Sequence, residues 1–143
     1  PNAVDPFTYN NSGDNTGENI PFIETKLVPK SDKLEIWGYL AGGGSSLLGR
    51  SKVLPPTEGF KGLEKFVVET VVEYSLNACP PLIVGVGIGA TSEIATVLSK
   101  KALLRRIGNR HPRAEVAELE VRLNDKLNKL NIGSQGLGGG CQF

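Results

Sequence analysis

Residues 79–90 read Cys-Pro-Pro-Leu-Ile-Val-Gly-Val-Gly-Ile-Gly-Ala, and no other stretch narrows the fold as much. Pro80 and Pro81 forbid continuation of any preceding helix. The apolar run 82–88 then reads as a buried strand. Along a strand, side chains alternate between faces, so Val84, Val86 and Ile88 point one way. Gly85 and Gly87 point the other way, and Gly89 continues their series. Glycine weakens a strand and marks close approach by another backbone or by a ligand. Cys79 stands at the mouth of this strand. It is either a buried structural cysteine or a thiolate ligand for a soft metal or an iron–sulfur cluster.

Around this run the pattern predicts an α/β fold, with a small mixed sheet packed against three helices. Residues 22–28 and 33–41 read as an antiparallel hairpin joined through Pro29-Lys30-Ser31-Asp32. Leu34, Ile36, Gly38 and Leu40 share one face of its second strand. The strand 82–88 completes the sheet. The helices are expected over 60–76, 91–107 and 112–131. Leu63, Phe66, Val67, Thr70, Val71 and Tyr74 form the apolar face of the first. Thr91 or Ser92 caps the second, and Pro112 suits the first turn of the third. That third helix carries the stripe Val116, Leu119, Leu123, Leu127 and Leu130. Residues 1–21 are rich in turn formers. The whole of 1–143 reads as one domain, without internal repeat. Because it starts at Pro1 and stops at Phe143, it is expected to be a piece of something longer, or a processed product.

Charge and composition exclude several classes of function. With 16 basic and 15 acidic residues in 143, the net charge of +1 makes no case for nucleic acid. No apolar run reaches the roughly 20 residues a bilayer requires, and no basic-then-apolar leader is visible. Two cysteines are too few for a disulfide scaffold. A cytoplasmic setting, with the thiols free or metal-bound, is therefore expected.

Other local signals are weaker. Gly85-x-Gly87-x-x-Ala90 has the form of a dinucleotide fingerprint, but the second strand bearing an acidic residue about 20 positions on is missing. The basic group Lys100, Lys101, Arg105 and Arg106 suits a helix C-terminus. His111 is the only histidine, so no Ser/His/Asp or Cys/His set can be assembled. Gly42-Gly43-Gly44-Ser45-Ser46, at the end of the second strand, is either a flexible turn or an anion nest of backbone N–H groups.

Taken in order along the chain, five segments resemble the alpha-type catalytic region of the class I iron–sulfur hydro-lyases, the fumarate hydratases and L-tartrate dehydratases. They are Asn15-Thr16-Gly17-Glu18-Asn19-Ile20-Pro21, Gly42-Gly43-Gly44-Ser45, Cys79-Pro80-Pro81 with Val84–Gly89, Lys100–Arg105, and Ile132–Gly139. The resemblance implies a [4Fe-4S] cluster held by three cysteines, with Cys79 matching the middle one. It implies substrate contacts from Gly42, Gly43, Gly44 and Ser45. It further implies reversible hydration of a four-carbon dicarboxylate (fumarate/malate or tartrate/oxaloacetate), a beta-type subunit or domain as partner, and an oligomer. Two positions depart from the family. Ala41 stands where lysine is common, and Gly140-Cys141-Gln142-Phe143 replaces the usual continuation, so Cys141 does not match the third cluster cysteine. A non-catalytic paralogue that binds or assembles, and a nucleotide-binding module, are the competing readings.

Overall fold

The computed structural model describes residues 5, 7–14, 16–18, 20–46 and 48–139. The chain divides into two compact units, Pro1–Gly43 and Gly44–Phe143. The first is built from local turns in which side chains satisfy the backbone. The Asp5 carboxylate accepts from the N–H groups of Phe7 (2.8 Å) and Thr8 (2.9 Å). Asn11 accepts from the Gly13 N–H at 2.7 Å. The Asp14 carboxylate accepts from both the hydroxyl and the N–H of Thr16. The Thr16 hydroxyl, foremost among these bonds, lowers the Asp14 pKa to about 2. Asp5, Asn11 and Asp14 thus act as turn formers, whereas residues 1–4, 6, 15 and 19 lie outside the described residues.

The predicted mixed sheet is not formed. Among the described residues there is no strand, only the isolated bridges Gly17↔Ile20 and Gly133↔Gly138. The turn expected between the hairpin arms exists, with Ser31 N–H donating to the Val28 carbonyl at 3.3 Å. No ladder grows from it. Leu34 (87% exposed), Ile36 (83%) and Leu40 (99%) show why. A two-stranded hairpin is marginal in water unless one face is covered, and this apolar face is bare.

The second unit is helical. Its elements are α1 (Gly43–Ser46, reaching back one residue into the first unit), α2 (Gly59–Tyr74), α3 (Ser92–Ala102) and α4 (Ala114–Lys129). The three predicted long helices are all present, with shifted ends. α3 stops at Ala102 because the chain tightens into i→i+3 bonds, Leu103 to Lys100 (3.2 Å) and Leu104 to Lys101 (3.0 Å). Pro112 precedes the helix, Arg113 being the residue before its first turn. The core is one seam, with Val67 and Val71 of α2 against Leu119, Leu123 and Leu127 of α4. Each sits on the apolar stripe read from the sequence.

At the edge of this seam lies a buried carboxylate that the pattern did not flag. Glu64 is 8% exposed. It accepts from Arg122 Nε at 3.0 Å and from Lys126 Nζ. The Lys126 hydrogen bond, followed by that of Arg122, lowers its pKa.

Residues 82–89 run antiparallel to α3 without joining a sheet. A Cβ on Gly85 would strike the Ser99 carbonyl and stand 2.8 Å from Leu103 Cγ. One on Gly87 would overlap the Ala95 carbonyl, and one on Gly89 would lie 2.9 Å from the Ala95 nitrogen. The alternating glycines are therefore filled by helix backbone. Val86, on the opposite side, packs on the α2–α4 core.

Two outcomes follow from this packing. Gly87→Ala should destabilise the protein by about 1–3 kcal/mol, since backbone rather than a flexible side chain must yield. Unchanged urea unfolding would contradict the close contact. For Glu64, the depressed folded pKa means its stabilisation is complete above the ordinary value near 4.5 and is lost as pH falls through the lower folded value. Lys126→Met should flatten that acid limb in melts recorded between neutral pH and the acid transition.

Candidate functional site around Cys79

The two core helices each end in a turn, and the turns meet. α2 closes at Tyr74, whose ring lies 3.8 Å beneath the Arg50 guanidinium. The chain tightens into a 3-10 turn, Ser75–Asn77, with the Ala78 N–H donating to the Ser75 carbonyl at 3.1 Å. Cys79 follows, then Pro80 and Pro81 across a cis peptide bond. Its thiol is free and exposed. It is not part of the α2–α4 core.

α4 ends in the same fashion. Leu130 N–H donates to Leu127, and Asn131 turns to φ +51°. Gly133 takes φ +69°, where a Cβ would overlap the Gly138 carbonyl, so only glycine closes this loop. A second 3-10 turn, Ser134–Gly136, is sealed by Leu137 N–H to the Ser134 carbonyl (3.1 Å) and Gly138 N–H to the Ile132 carbonyl (3.0 Å). This turn packs on Ser75–Asn77. Between the two lies a cavity of about 10 Å³, walled by Ser75, Ala78 and Pro80 on one side and by Ile132, Gly133 and Gln135 on the other. Two segments singled out in the sequence, Cys79-Pro80-Pro81 and Ile132–Gly139, are thereby brought together.

The remaining candidates fall elsewhere. Of the segment 42–45, Gly44 and Ser45 belong to the second unit and do not line this cavity. They do not end a strand either: Gly43–Ser46 is a single helical turn. A Cβ on any of the three glycines would meet nothing within 4 Å, so the space a side chain would take there is open. Arg105 pairs with Glu120, which also accepts the His111 N–H at 3.1 Å. Burial works to raise the Glu120 pKa, but Arg105 and the His111 N–H outweigh it and hold the carboxyl low. His111 Nδ1 accepts from the Arg113 N–H at 3.1 Å, a local contact just before α4 that uses its lone pair. Cys141 lies outside the described residues. A separate trough of about 650 Å³ is lined by Phe60, Lys61, Val68 and the Glu64 ion pairs.

An exposed thiolate suits a soft metal or an iron–sulfur group as a ligand. Among the described residues no three His, Cys, Asp or Glu side chains converge on a metal position. Cys79 is thus the single thiol that this loop offers to such a group, and the described residues do not hold one by themselves. Sequence reasoning missed Ser75 beside it. Its Oγ is buried and meets no hydrogen-bond partner among the described residues, and no motif announces that.

The chain that builds this arrangement has relatives in sequence. Residues 1–142 match the family model described as fumarate hydratase (Fumerase), and the chain belongs to that family. It is 53% identical over 138 residues to the L(+)-tartrate dehydratase subunit alpha of Escherichia coli K12, which covers 96% of this chain and 46% of that protein. It is 44% identical over 140 residues to a putative L(+)-tartrate dehydratase subunit alpha of Methanocaldococcus jannaschii, covering 97% and 49%. The chain thus spans about half the length of the curated relatives it matches. Among the described residues no helix is long and apolar enough to cross a membrane.

The junction of the two turns makes a specific demand at Gly136. It holds φ +77°, and an added Cβ would stand 2.9 Å from Leu76 Cδ2. Gly136→Ala should cost about 1–2 kcal/mol from the left-handed backbone alone. Faster amide exchange should appear in both 75–79 and 132–138. Exchange confined to 132–138 would show that the turns are not coupled.

Proposed function

We propose that this chain is the alpha-type part of an iron–sulfur hydro-lyase acting on a four-carbon dicarboxylate, with Cys79 as one of three thiolates around a [4Fe-4S] cluster. The observation that carries this reading is the free, exposed Cys79 thiol on a loop anchored by both core helices. The relatives' names favour tartrate, dehydrated toward oxaloacetate, over fumarate.

When bound, the cluster supplies a Lewis acid for the substrate's hydroxyl and carboxylate. The chain's own contribution is positional. Pro80 and Pro81 restrict the backbone that follows the thiol, and the α2–α4 seam holds the segment before it. The peptide groups of Gly42, Gly43, Gly44 and Ser45 suit a substrate carboxylate, since backbone N–H groups gathered in a turn bind anions. The glycines of 85–89 have no ligand role in this reading, because α3 fills their space. The site is completed by a beta-type subunit or domain, in an oligomer and in the cytoplasm.

The test is anaerobic iron–sulfide reconstitution of the complete alpha-type protein with its beta-type partner. Cys79→Ser should abolish the cluster's visible absorbance. Tartrate dehydration should fall by about a hundredfold or more, beyond what loss of an outer-shell contact produces. An unchanged cluster spectrum in Cys79→Ser would overturn the assignment.

A further inference from the structure

Ser75 is the one buried side-chain oxygen found without a hydrogen-bond partner among the described residues. Leaving a buried hydroxyl unsatisfied costs about 1–3 kcal/mol, so such a group calls for an explanation. Ser75 is only 6% exposed, which closes it off from bulk solvent. Its residue walls the cavity between the thiol loop and the Ser134–Gly136 turn. That cavity, of about 10 Å³, is close to the roughly 10–15 Å³ that one water needs. Gln135 stands across from Ser75 and brings an amide side chain as well as its peptide group. It is held at φ +56°, a left-handed conformation that the tight turn imposes.

We infer that Ser75 is a positioning residue. Its hydroxyl holds one water in this cavity, which bridges to the side-chain amide of Gln135 and fixes where the Cys79 thiol is presented. Ser75 lies four residues before Cys79, and the Ala78 N–H is bonded to its carbonyl. A shift of Ser75 therefore passes along a short, tightly turned segment to the sulfur. The water would take the place of a direct side-chain contact between the two turns, at little energetic disadvantage.

The inference rests on Cys79 being the functional thiol, but its test needs no cluster. The metal-free complete protein is alkylated with iodoacetamide. Labelling at Cys79 is followed by mass spectrometry of the peptide that contains it, with the remaining cysteines as internal controls. Ser75→Ala should change the Cys79 rate by about fivefold, the factor one hydrogen bond carries, while the other cysteines keep theirs. Gln135→Gly, which relieves the left-handed backbone while removing the amide, should change it in the same direction. An unchanged Cys79 rate in Ser75→Ala would overturn the inference, as would a rise shared by all cysteines, which signals general loosening. If Ser75→Ala does not fold, Gln135→Gly decides alone, and an unaltered Cys79 rate there rejects the bridge. Failure of cluster assembly in Cys79→Ser bears on the proposed function only and leaves this outcome untouched.

Discussion

The seam between α2 and α4 is the contact on which the rest of the second unit depends. Five side chains, Val67, Val71, Leu119, Leu123 and Leu127, form its buried centre. Their direction along the helices matters as much as their burial. Glu64 of α2 meets Arg122 and Lys126 of α4, and Leu76 beyond α2 meets Gly136 beyond α4. Contacts that advance together along both segments mean that the helices run the same way. Their C-terminal exits therefore emerge side by side. The thiol loop leaves one exit and the glycine-rich turn leaves the other. Burial of a handful of branched aliphatic side chains is thus what brings two segments far apart in sequence to one place.

The seam also explains why a carboxylate is tolerated at its edge. An ionised group removed from water is costly unless it is paired and hydrogen-bonded. Glu64 has two cationic partners from α4, both about half exposed. That geometry keeps the charge-assisted bonds while leaving the cations in water. Its net worth to stability is modest, because half-exposed partners are screened. Its larger effect is on register: one carboxylate reaching residues 122 and 126, a helical turn apart, disfavours sliding of α4 along α2.

Legibility in the sequence followed the range of the interaction. The three long helices and their apolar stripes were readable because a 3.6-residue period is a local property. Leu119, Leu123 and Leu127 were read as a stripe and are the core. The strands were misread for the complementary reason. Alternation at 33–41 and 82–88 shows only that two faces differ; a ladder also needs a partner and a covered face. At 82–88 the alternation was real, and a helix rather than a strand accounts for it. Gly85, Gly87 and Gly89 line up against successive turns of α3, so a period of two served helix backbone packing. The pattern could state that something approached closely there, but not which of backbone and ligand it was.

The site was legible in the same uneven way. Cys79 stood out through the prolines after it, and family resemblance gave it a role. Its exposure could not be read, since a lone cysteine in an apolar stretch is ordinarily buried. Ser75 gave no signal, because a serine at the end of a helix is commonplace. Its orphaned hydroxyl exists only once the α4 exit has been laid over the α2 exit. Gln135 lies within the glycine-rich segment Ile132–Gly139, where the glycines attract notice. Yet the glycines mainly permit the fold of the turn, through the positive φ of Gly133 and Gly136. The residue they carry into the cavity wall is the one with hydrogen-bonding capacity. A glycine-rich motif therefore reads best as a mounting, and the chemistry lies in the few side chains that it holds in place.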